Sequence, residues 1–422
     1  MRERDWWVHA PLDERGTRWL VAAAVLAVIA ILLRQPLLLT LAIVLALAAA
    51  SARLWWRFGL SEVTYRRRFA TTRAAFGEEI ELELITENAK PLPLVWLEVT
   101  DEFPTALEVV GATLEPAAKP RVGIFQAFFS VRPYERVRRR YRLRCTARGY
   151  YRFGPAKLTT GDPFGFAARE REIPTTDHLI VYPRVLPLTA FGLPARQPLG
   201  DAKPAQPLVE DPLRVAGVRP YAAGDSPRRI HWRASARTGT LQVKQYERSA
   251  DPTVALFLDT NTFEHFWEGQ RSDLLELAIT VAASLAARAL DEGRQVGLIA
   301  NAPASGSARF IRVPPGRHPA QLARILEMLA MLVPGTGVRV EQTLTAESGK
   351  LPWGATVVVV TANVTAGLQR TLVRLARNGR QVVLVSCGPE PALEPELRRR
   401  LTIYHVGPEE TWETRDAVAL AG

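Results

Sequence analysis

The chain has 422 residues, 47% of them apolar, so it is long enough for two or three domains with their own hydrophobic cores. Its net charge of +11 is compatible with a nucleic acid, an anionic membrane surface or an acidic protein as partner. The only two cysteines, Cys145 and Cys387, are far apart in sequence, which argues against a zinc site or a disulfide framework.

Two apolar runs without any charge, residues 19–33 and 37–52, follow one another near the N-terminus. Each is slightly shorter than the roughly 20 residues that a membrane-spanning helix needs, and flanking tryptophans at the interface extend its reach. A signal peptide has a single such run, and a buried helical hairpin is the other alternative. We predict a cytoplasmic tail over residues 1–16 and a transmembrane helical hairpin over residues 17–54.

The arginines around this hairpin predict its orientation. Four arginines precede the first apolar run and five follow the second, whereas the connecting loop contains only Arg34. Because basic residues stay on the cytoplasmic side of a membrane, both ends of the hairpin are expected in the cytoplasm. The prediction is a two-pass protein of the cell (inner) membrane with cytoplasmic soluble domains.

Residues 60–185 show the period-two alternation of half-buried strands. Ile80, Leu82 and Leu84 alternate with glutamates, and a second strand is predicted over residues 94–99. Turn signals rich in glycine, proline and aspartate recur along the segment. Short strands at this spacing predict a β-sandwich domain.

One strand of this domain carries an arginine stripe. Alternation places four arginines on a single face: Arg138, Arg140, Arg142 and Arg144. Like charges side by side repel one another, so the stripe needs a counterpart. Three interpretations remain open: a solvated outer face with acidic neighbours on the next strand, a contact with anionic lipid headgroups, or a docking site for an acidic partner. Nucleic acid is not expected, because exposed aromatics do not alternate with the arginines.

A connector and a distinctive segment are predicted over residues 186–250. Gly224 and Asp225 predict a turn, after which Ser226 is expected to cap a helix. The predicted helix runs over residues 228–237 and ends at Gly239. Residues 241–246 then alternate as a strand.

This segment resembles the family called domain of unknown function 58. The residues that carry the resemblance are Tyr221, Gly224-Asp225, Arg228 or Arg229, Ile230, Trp232 and Arg237. The upstream β-rich region and the twin N-terminal helices are also similar to the family. The resemblance implies no established activity and no cofactor. It implies a C-terminal domain like those of von Willebrand factor type A, and a membrane-anchored scaffold or adaptor that works with a MoxR-type AAA+ ATPase in assembling or remodelling another complex.

Three interpretations apply to the same residues. A hydrolase triad of Asp225, His231 and Ser235 is conceivable, but a serine nucleophile normally sits at a strained turn rather than within a helix. In a structural role, Asp225 caps the helix or pairs with an arginine, and Trp232 packs between domains. In a partner-docking role, the exposed face includes the signature residues and their neighbours: Tyr221, Gly224, Asp225, Arg228, Arg229, His231, Trp232, Arg233 and Arg237.

Residues 251–408 alternate apolar strands with helical patterns, which predicts a doubly wound α/β domain with a parallel sheet, followed by a tail over residues 409–422. Ligands of such sheets bind at the carboxyl ends of the strands, where Asp259 follows the first strand. In von Willebrand type A domains this position begins a DxSxS metal motif. Here Asn261 offers an oxygen but Phe263 offers none, so the site is degenerate and no metal is expected.

A structural role predicts that Asp259 caps a helix or accepts hydrogen bonds from loop amides. The chain is expected not to be an enzyme. The rival prediction is a metal-dependent or hydrolytic enzyme built at Asp259, or at Asp225 and His231.

Overall fold

The computed structural model describes residues 12–165, 168–188, 190–191, 215–222, 225–246, 253–307, 310–335, 338–352, 354–407 and 419–420. The chain divides into two compact units, Met1–Val181 and Tyr182–Gly422. The first contains apolar N-terminal helices and a large β-sheet-rich region. The second contains the C-terminal α/β region. Of the predicted tails over residues 1–16 and 409–422, residues 1–11, 409–418 and 421–422 lie outside the described residues, whereas residues 12–16 belong to the first helix. Most of the connector also lies outside the described residues.

The first unit begins with two helices, α1 (Leu12–Leu32) and α2 (Pro36–Phe58). α2 is long and apolar enough to cross a membrane, and residues 19–32 of α1 form a shorter apolar stretch. Among the side chains described, residues 19–58, the buried ones of the pair are all alanines: Ala23, Ala30, Ala42, Ala49 and Ala52. Small side chains at a seam allow two helix backbones to approach closely.

Twelve strands follow in the described part of the first unit. They are β1 (Val63–Phe69), β2 (Arg73–Ala74), β3 (Glu79–Asn88), β4 (Leu94–Pro104), β5 (Glu108–Val110), β6 (Glu115–Pro116), β7 (Val122–Val131), β8 (Arg136–Arg144), β9 (Gly149–Phe153), β10 (Ala156–Gly161), β11 (Ala168–Ile173) and β12 (Asp177–Val181). They form sheets in the orders β1-β3-β8-β5, β11-β10-β4-β7-β6 and β2-β12-β9.

The two larger sheets share one hydrophobic core. Leu82 and Leu84 of β3 and Leu97 of β4 are all fully buried in it, so the predicted alternation of β3 is confirmed. Phe125 of β7 meets Tyr141 of β8 edge to face at 5.1 Å between ring centroids. The predicted β-rich region is therefore confirmed.

The second unit contains the remaining elements. They are β13 (Ala190–Phe191), β14 (Val215–Pro220), α3 (Trp232–Thr238), β15 (Gln242–Tyr246), β16 (Thr253–Leu258), α4 (Ser272–Asp291), β17 (Gln295–Pro303), β18 (Phe310–Gly316), α5 (Gln321–Ala330), α6 (Val340–Ser348), β19 (Thr356–Thr361), α7 (Ala366–Arg377), β20 (Gln381–Cys387), α8 (Pro395–Arg400), β21 (Thr402–Val406) and β22 (Ala419–Leu420).

A six-stranded sheet forms the centre of this unit, in the order β18-β17-β16-β19-β20-β21. Five strands are parallel, and the edge strand β18 pairs antiparallel with β17, which the sequence did not predict. Separate clusters of buried residues cover the two faces of the sheet: one includes α4 and α5, and the other includes α6, α7 and α8. The predicted α/β architecture is thus confirmed at this level.

Candidate functional site

The signature segment forms a small module in which β14 pairs with β15 in antiparallel fashion. The predicted continuous helix over residues 228–237 is wrong. A single 3₁₀ turn covers Pro227–Arg229, and Ile230 is extended and bridges to Val243 of β15. The His231 amide donates to the Gln242 carbonyl at 2.8 Å. Pairing with β15 therefore keeps this backbone out of the helical conformation, and α3 begins only at Trp232.

His231 and Ser235 hold α3 against β15. His231, rather than the predicted Ser226, caps α3, because its Nδ1 accepts a hydrogen bond from the Ala234 amide at 3.1 Å. The Ser235 hydroxyl donates to the His231 carbonyl at 3.1 Å and accepts from the Gln242 amide at 2.8 Å. The Ser235 hydroxyl thus bonds to backbone groups. Gly239 ends the helix with a φ of 67°, as predicted.

Asp225 forms an ion pair, as its structural interpretation predicted, although the partner was not foreseen. Arg219 of β14 donates to both carboxylate oxygens, at 2.7 and 2.6 Å. The Ala222 amide adds a third hydrogen bond at 2.9 Å. The Arg219 guanidinium holds the pKa of the Asp225 carboxyl below its usual range. Asp225 therefore ties β14 to the turn that precedes α3.

The surface of the module is rich in exposed aromatic, aliphatic and arginine side chains. No residue of α3 is buried, and Trp232 is 70% exposed. Other exposed side chains include Val218, Tyr221, Arg229, Arg233, Arg237 and Leu241. Gly224 and the side chain of Arg228, both part of the predicted surface, lie outside the described residues.

A second candidate site lies at the carboxyl ends of the central strands of the α/β sheet. The strand order reverses between β16 and β19, which is the place where doubly wound sheets bind ligands. Asp259 directly follows β16 there and is 5% exposed. Asn301 of β17 and Thr361 of β19 approach it from the two neighbouring strands.

Both carboxylate oxygens of Asp259 accept hydrogen bonds. Oδ1 accepts from the Asn261 amide at 3.1 Å and from Asn301 Nδ2 at 2.8 Å, and Oδ2 accepts from the Thr361 hydroxyl at 2.9 Å. Burial nevertheless raises the pKa of the Asp259 carboxyl to about 6, since desolvation outweighs these hydrogen bonds. Asp259 thus accepts a hydrogen bond from a loop amide, that of Asn261, as its structural interpretation predicted.

The other polar groups of this site bond to one another. Asn261 Nδ2 donates to the Val338 carbonyl at 2.8 Å, and Asn301 Oδ1 accepts from the amide and hydroxyl of Thr260. A pocket of about 240 Å³ lies beside them. It is lined by Thr260, Asn261, Thr262, Phe263, His265, Gly269, Gln270 and Gly335. Within the described residues, no three metal-binding side chains of the His, Cys, Asp or Glu type cluster together.

Sequence reasoning found Asp259, Asn261 and the loop that begins at Thr361, but it missed Asn301 and Val338. Asn301 and Thr361 do carry a signal, because polar residues near the carboxyl ends of apolar strands converge at one sheet edge. The carbonyl of Val338 carries no signal of this kind, since any residue offers the same group.

The arginine stripe of β8 faces a complementary row of glutamates on β3. Antiparallel pairing places Arg140 opposite Glu83, Arg142 opposite Glu81 and Arg144 opposite Glu79. The ion pairs are Arg136–Glu87 at 2.8 Å, Arg140–Glu81 and Arg140–Glu83 at 2.9 Å, Arg142–Glu79 at 3.5 Å, Arg144–Glu79 at 2.9 Å and Arg144–Glu108 at 3.2 Å. Arg138 lies opposite Ile85. The stripe thus has the acidic neighbours on the next strand that the first of its three interpretations predicted.

Comparison with solved structures gives weak matches that cover a minor part of the chain. A cohesin module of a family 33 glycoside hydrolase from Clostridium perfringens is 13% identical, with a TM-score of 0.21, and the match covers 28% of this chain and 97% of that one. The CARDB domain of a Pyrococcus furiosus protein, in complex with di-metal ions, is also 13% identical, with a TM-score of 0.20, over 28% of this chain and 86% of that one.

Comparison with curated proteins and with family profiles gives a relative of low identity and a family match. A Bacillus subtilis relative, the uncharacterized protein YeaD, is 24% identical over 233 residues, which are 55% of this chain. The chain spans 54% of the length of that relative. The profile of the family described as protein of unknown function DUF58 matches residues 217–392, which include both candidate sites.

Proposed function

We propose that the protein is a membrane-anchored, cytoplasm-facing scaffold that works with a MoxR-type AAA+ ATPase in assembling or remodelling another protein complex. The observation that carries the proposal is the surface of the signature module, where α3 buries none of its own residues and exposes Trp232, Arg233 and Arg237. Tryptophan and arginine are the side chains most enriched among binding hot spots. The match to the family profile over residues 217–392 supports the same assignment.

The anchor in this proposal is a two-pass helical hairpin. Its support is the division of side chains between the α1–α2 seam, which buries alanines, and the outer surface, which exposes large apolar groups. Among them are Val25 at 53%, Ile31 at 64%, Val44 at 62% and Leu47 at 66%. A hairpin with this distribution has its outer surface matched to lipid rather than to water.

We also propose that the α/β region of the C-terminal unit is a von Willebrand factor type A domain. Numbered from β16, its central sheet has the strand order 3-2-1-4-5-6 with strand 3 antiparallel. Asp259 follows the first strand, at the position where such domains begin their metal motif. In the proposed scaffold this unit supports the signature module, and the hydrogen bonds around Asp259 stabilise its sheet edge.

The partner surface that fits the module is acidic with an apolar centre. Arg233 and Arg237 are exposed, and charge complementarity with such a surface increases the rate of association. The ring of Trp232 then fills an apolar depression at the centre of the contact.

A binding experiment tests this role. Trp232→Ala and Arg233→Glu are expected to weaken association with the candidate ATPase, and the effect of Arg233→Glu is expected to shrink as salt rises. Arg399→Glu is the matched control, because it makes the same charge change on an exposed helical position of α8. Each variant is melted alone and then titrated with the ATPase at two salt concentrations. Unchanged affinity of both module variants, with intact melting, contradicts the docking role.

A second candidate function is an enzyme or metal site at Asp259. The observation in its favour is a carboxyl group with a pKa of about 6 beside a pocket at the reversal of strand order. A magnesium titration separates the two candidates. If the ion binds, a concentration of ten times its Kd raises stability by about 1.4 kcal/mol through mass action. The scaffold proposal expects no such shift, whereas a shift that disappears in Asp259→Ala supports the metal site.

A further inference from the structure

The end of the β-rich domain that adjoins α2 gathers several loops. Strand pairing brings the start of β1, the end of β3 and the start of β8 together, since Val63 lies opposite Asn88 and Glu87 opposite Arg136. In the second sheet, the start of β4 lies opposite the end of β7, and β10 and β11 meet at their connecting turn. We call this the proximal end. It consists of residues 59–62, 89–93, 132–135 and 162–165.

Side-chain hydrogen bonds hold the last turn of α2 against the proximal end. Trp55 Nε1 donates to the Pro93 carbonyl at 3.1 Å. Arg169 of β11 donates to the carbonyls of Trp56 at 3.2 Å and Arg57 at 2.9 Å, and its guanidinium lies 5.5 Å from the centre of the Trp56 ring. The carbonyls at the end of a helix have no partner within the helix, so these bonds cap α2. The loops therefore stay at the level where α2 ends.

That level matches the interfacial layer of a bilayer. The charge-free run of α2 ends at Ala52, and Arg53, Trp55, Trp56 and Arg57 follow. A helix crosses the hydrocarbon core in about 20 residues, which from Pro36 leads to Trp55. Tryptophan prefers the headgroup region, and arginine reaches the phosphates there. The proximal end is in contact with these residues.

The exposed large apolar side chains of the β-rich domain cluster at the same end. Within the described part of residues 59–181 they are Val95 at 44%, Phe128 at 58%, Tyr134 at 71% and Phe164 at 61%. Tyr134 and Phe164 lie on loop tips, Val95 is the second residue of β4, and Phe128 is three residues from the end of β7. The loops at the opposite ends of the strands carry no exposed large apolar side chain among the described residues.

Tyr134 occupies a backbone position that favours glycine. It follows Pro133 in a turn closed by the Glu135 amide, which donates to the Arg132 carbonyl at 3.3 Å, and its φ is 55°. The third position of a type II turn needs this positive φ and normally takes glycine or asparagine. An exposed aromatic ring held in such a position points to a function outside the fold.

The turn around Phe164 is also fixed. The Phe164 amide donates to Asp162 Oδ2 at 2.9 Å, and Gly165 takes a positive φ of 76°. Asp162 itself is fully buried, and the Trp96 ring donates to its carbonyl at 3.4 Å. Two separate loops therefore present one exposed aromatic ring each.

We infer that the proximal end is a membrane-docking surface, in which Tyr134 and Phe164 insert into the interfacial layer of an anionic bilayer. The exposed side chains of Arg53, Arg57 and Arg132 face the lipid phosphates. The β-rich domain then rests on the bilayer instead of moving freely at the end of α2. This inference assumes the membrane anchor proposed above, and it adds the orientation of the first unit.

Site-specific fluorescence on the full chain in lipid nanodiscs tests the inference. An environment-sensitive thiol label is attached to the cysteine variants Tyr134→Cys and Phe164→Cys. The native Cys145 and Cys387 are fully buried, so the label reacts with the introduced cysteines. Ala118→Cys is the matched control, on an exposed turn at the opposite end of the strands. Strands of ten residues place that turn about 33 Å away from the proximal end.

At positions 134 and 164, but not at 118, the emission of the label is expected to shift to shorter wavelength. At the same two positions, headgroup-nitroxide lipid is expected to quench the emission. Both effects are expected to be larger in discs with phosphatidylglycerol than in pure phosphatidylcholine. If the chain enters the discs but all three labels respond alike, the docking surface is overturned while the anchor stands. If the chain does not enter the discs, the anchor fails. Val95→Cys provides a third position at the same end should one loop variant not fold.

Discussion

Asp259 links its protonation to the stability of the C-terminal unit. Its pKa is about 6 in the folded chain against 3.8 as the ordinary value, because burial disfavours the charge. The folded chain therefore holds this proton more strongly than the unfolded chain. The contribution of this proton to the free energy of unfolding is fully present below pH 3.8 and is lost as the pH rises through about 6. The difference between the two values corresponds to about 3 kcal/mol.

Asp259→Asn is expected to remove this pH dependence. Asparagine keeps an oxygen that accepts the hydrogen bond from the Asn261 amide, and its side chain does not ionise. The melting temperature of the variant is expected to match or exceed that of the parent near pH 7, and the advantage is expected to vanish near pH 4. Melting both proteins across this interval provides the measurement. A variant that is less stable at every pH contradicts the prediction and shows that the carboxylate itself is required.

Tyr134 offers a second prediction at the level of the residue. In detergent, Tyr134→Gly is expected to raise the melting temperature or leave it unchanged, because a non-glycine residue in the left-handed region costs about 1–2 kcal/mol. Tyr134→Ala is the matched control, since it removes the aromatic ring but keeps a non-glycine residue at the positive φ. A lower melting temperature for the glycine variant than for the alanine variant contradicts this account of the turn.

The pairing of β3 with β8 determines what each arginine of the stripe contributes. Arg140→Glu places a third negative charge beside Glu81 and Glu83, and directly opposed like charges destabilise a sheet by up to about 1 kcal/mol. Arg138→Glu makes the same charge change opposite Ile85 and is expected to have little effect. Melting in low and high salt measures both variants. Equal losses at the two positions indicate that net charge, rather than cross-strand pairing, governs stability.

Within the signature module, element boundaries depend on a strand that lies later in the chain. Residues 226–229 carry good helix-start signals, and a 3₁₀ turn forms there. The helix cannot continue through Ile230, because Ile230 is extended and bridges to Val243 of β15, and the His231 amide donates to the Gln242 carbonyl. The module therefore presents a short α3 of seven residues, and its exposed helical face is shorter than that of the helix predicted over residues 228–237.

At the scale of the whole molecule, the proposed topology makes a prediction about compartments. A reporter that is active only in the cytoplasm, fused after Gly422, is expected to be active, and one that is active only outside is expected to be silent. The reason is the excess of arginines on both flanks of the hairpin over the single Arg34 of its loop. The reverse pattern contradicts the cytoplasmic orientation and removes access to a cytosolic ATPase.

Local patterns in the sequence determined the elements of this protein. Strand β3 follows from the alternation of Ile80, Leu82 and Leu84, and the central strands of the α/β unit follow from short apolar runs. Gly239 marks the end of α3. These features depend on neighbours within one or two turns of chain, so periodicity and backbone preference are enough to predict them.

Only the tertiary structure decided which groups meet. Asp259 receives hydrogen bonds from Asn301 and Thr361, which are 42 and 102 residues away in sequence. Arg67, counted among the flanking positive charges of the hairpin, is 8% exposed and pairs with Asp101 at 2.7 Å. The proximal end likewise gathers loops from four separate turns of the chain. Contacts of this kind form because packed sheets bring distant strands side by side, and no local pattern records which strands become neighbours.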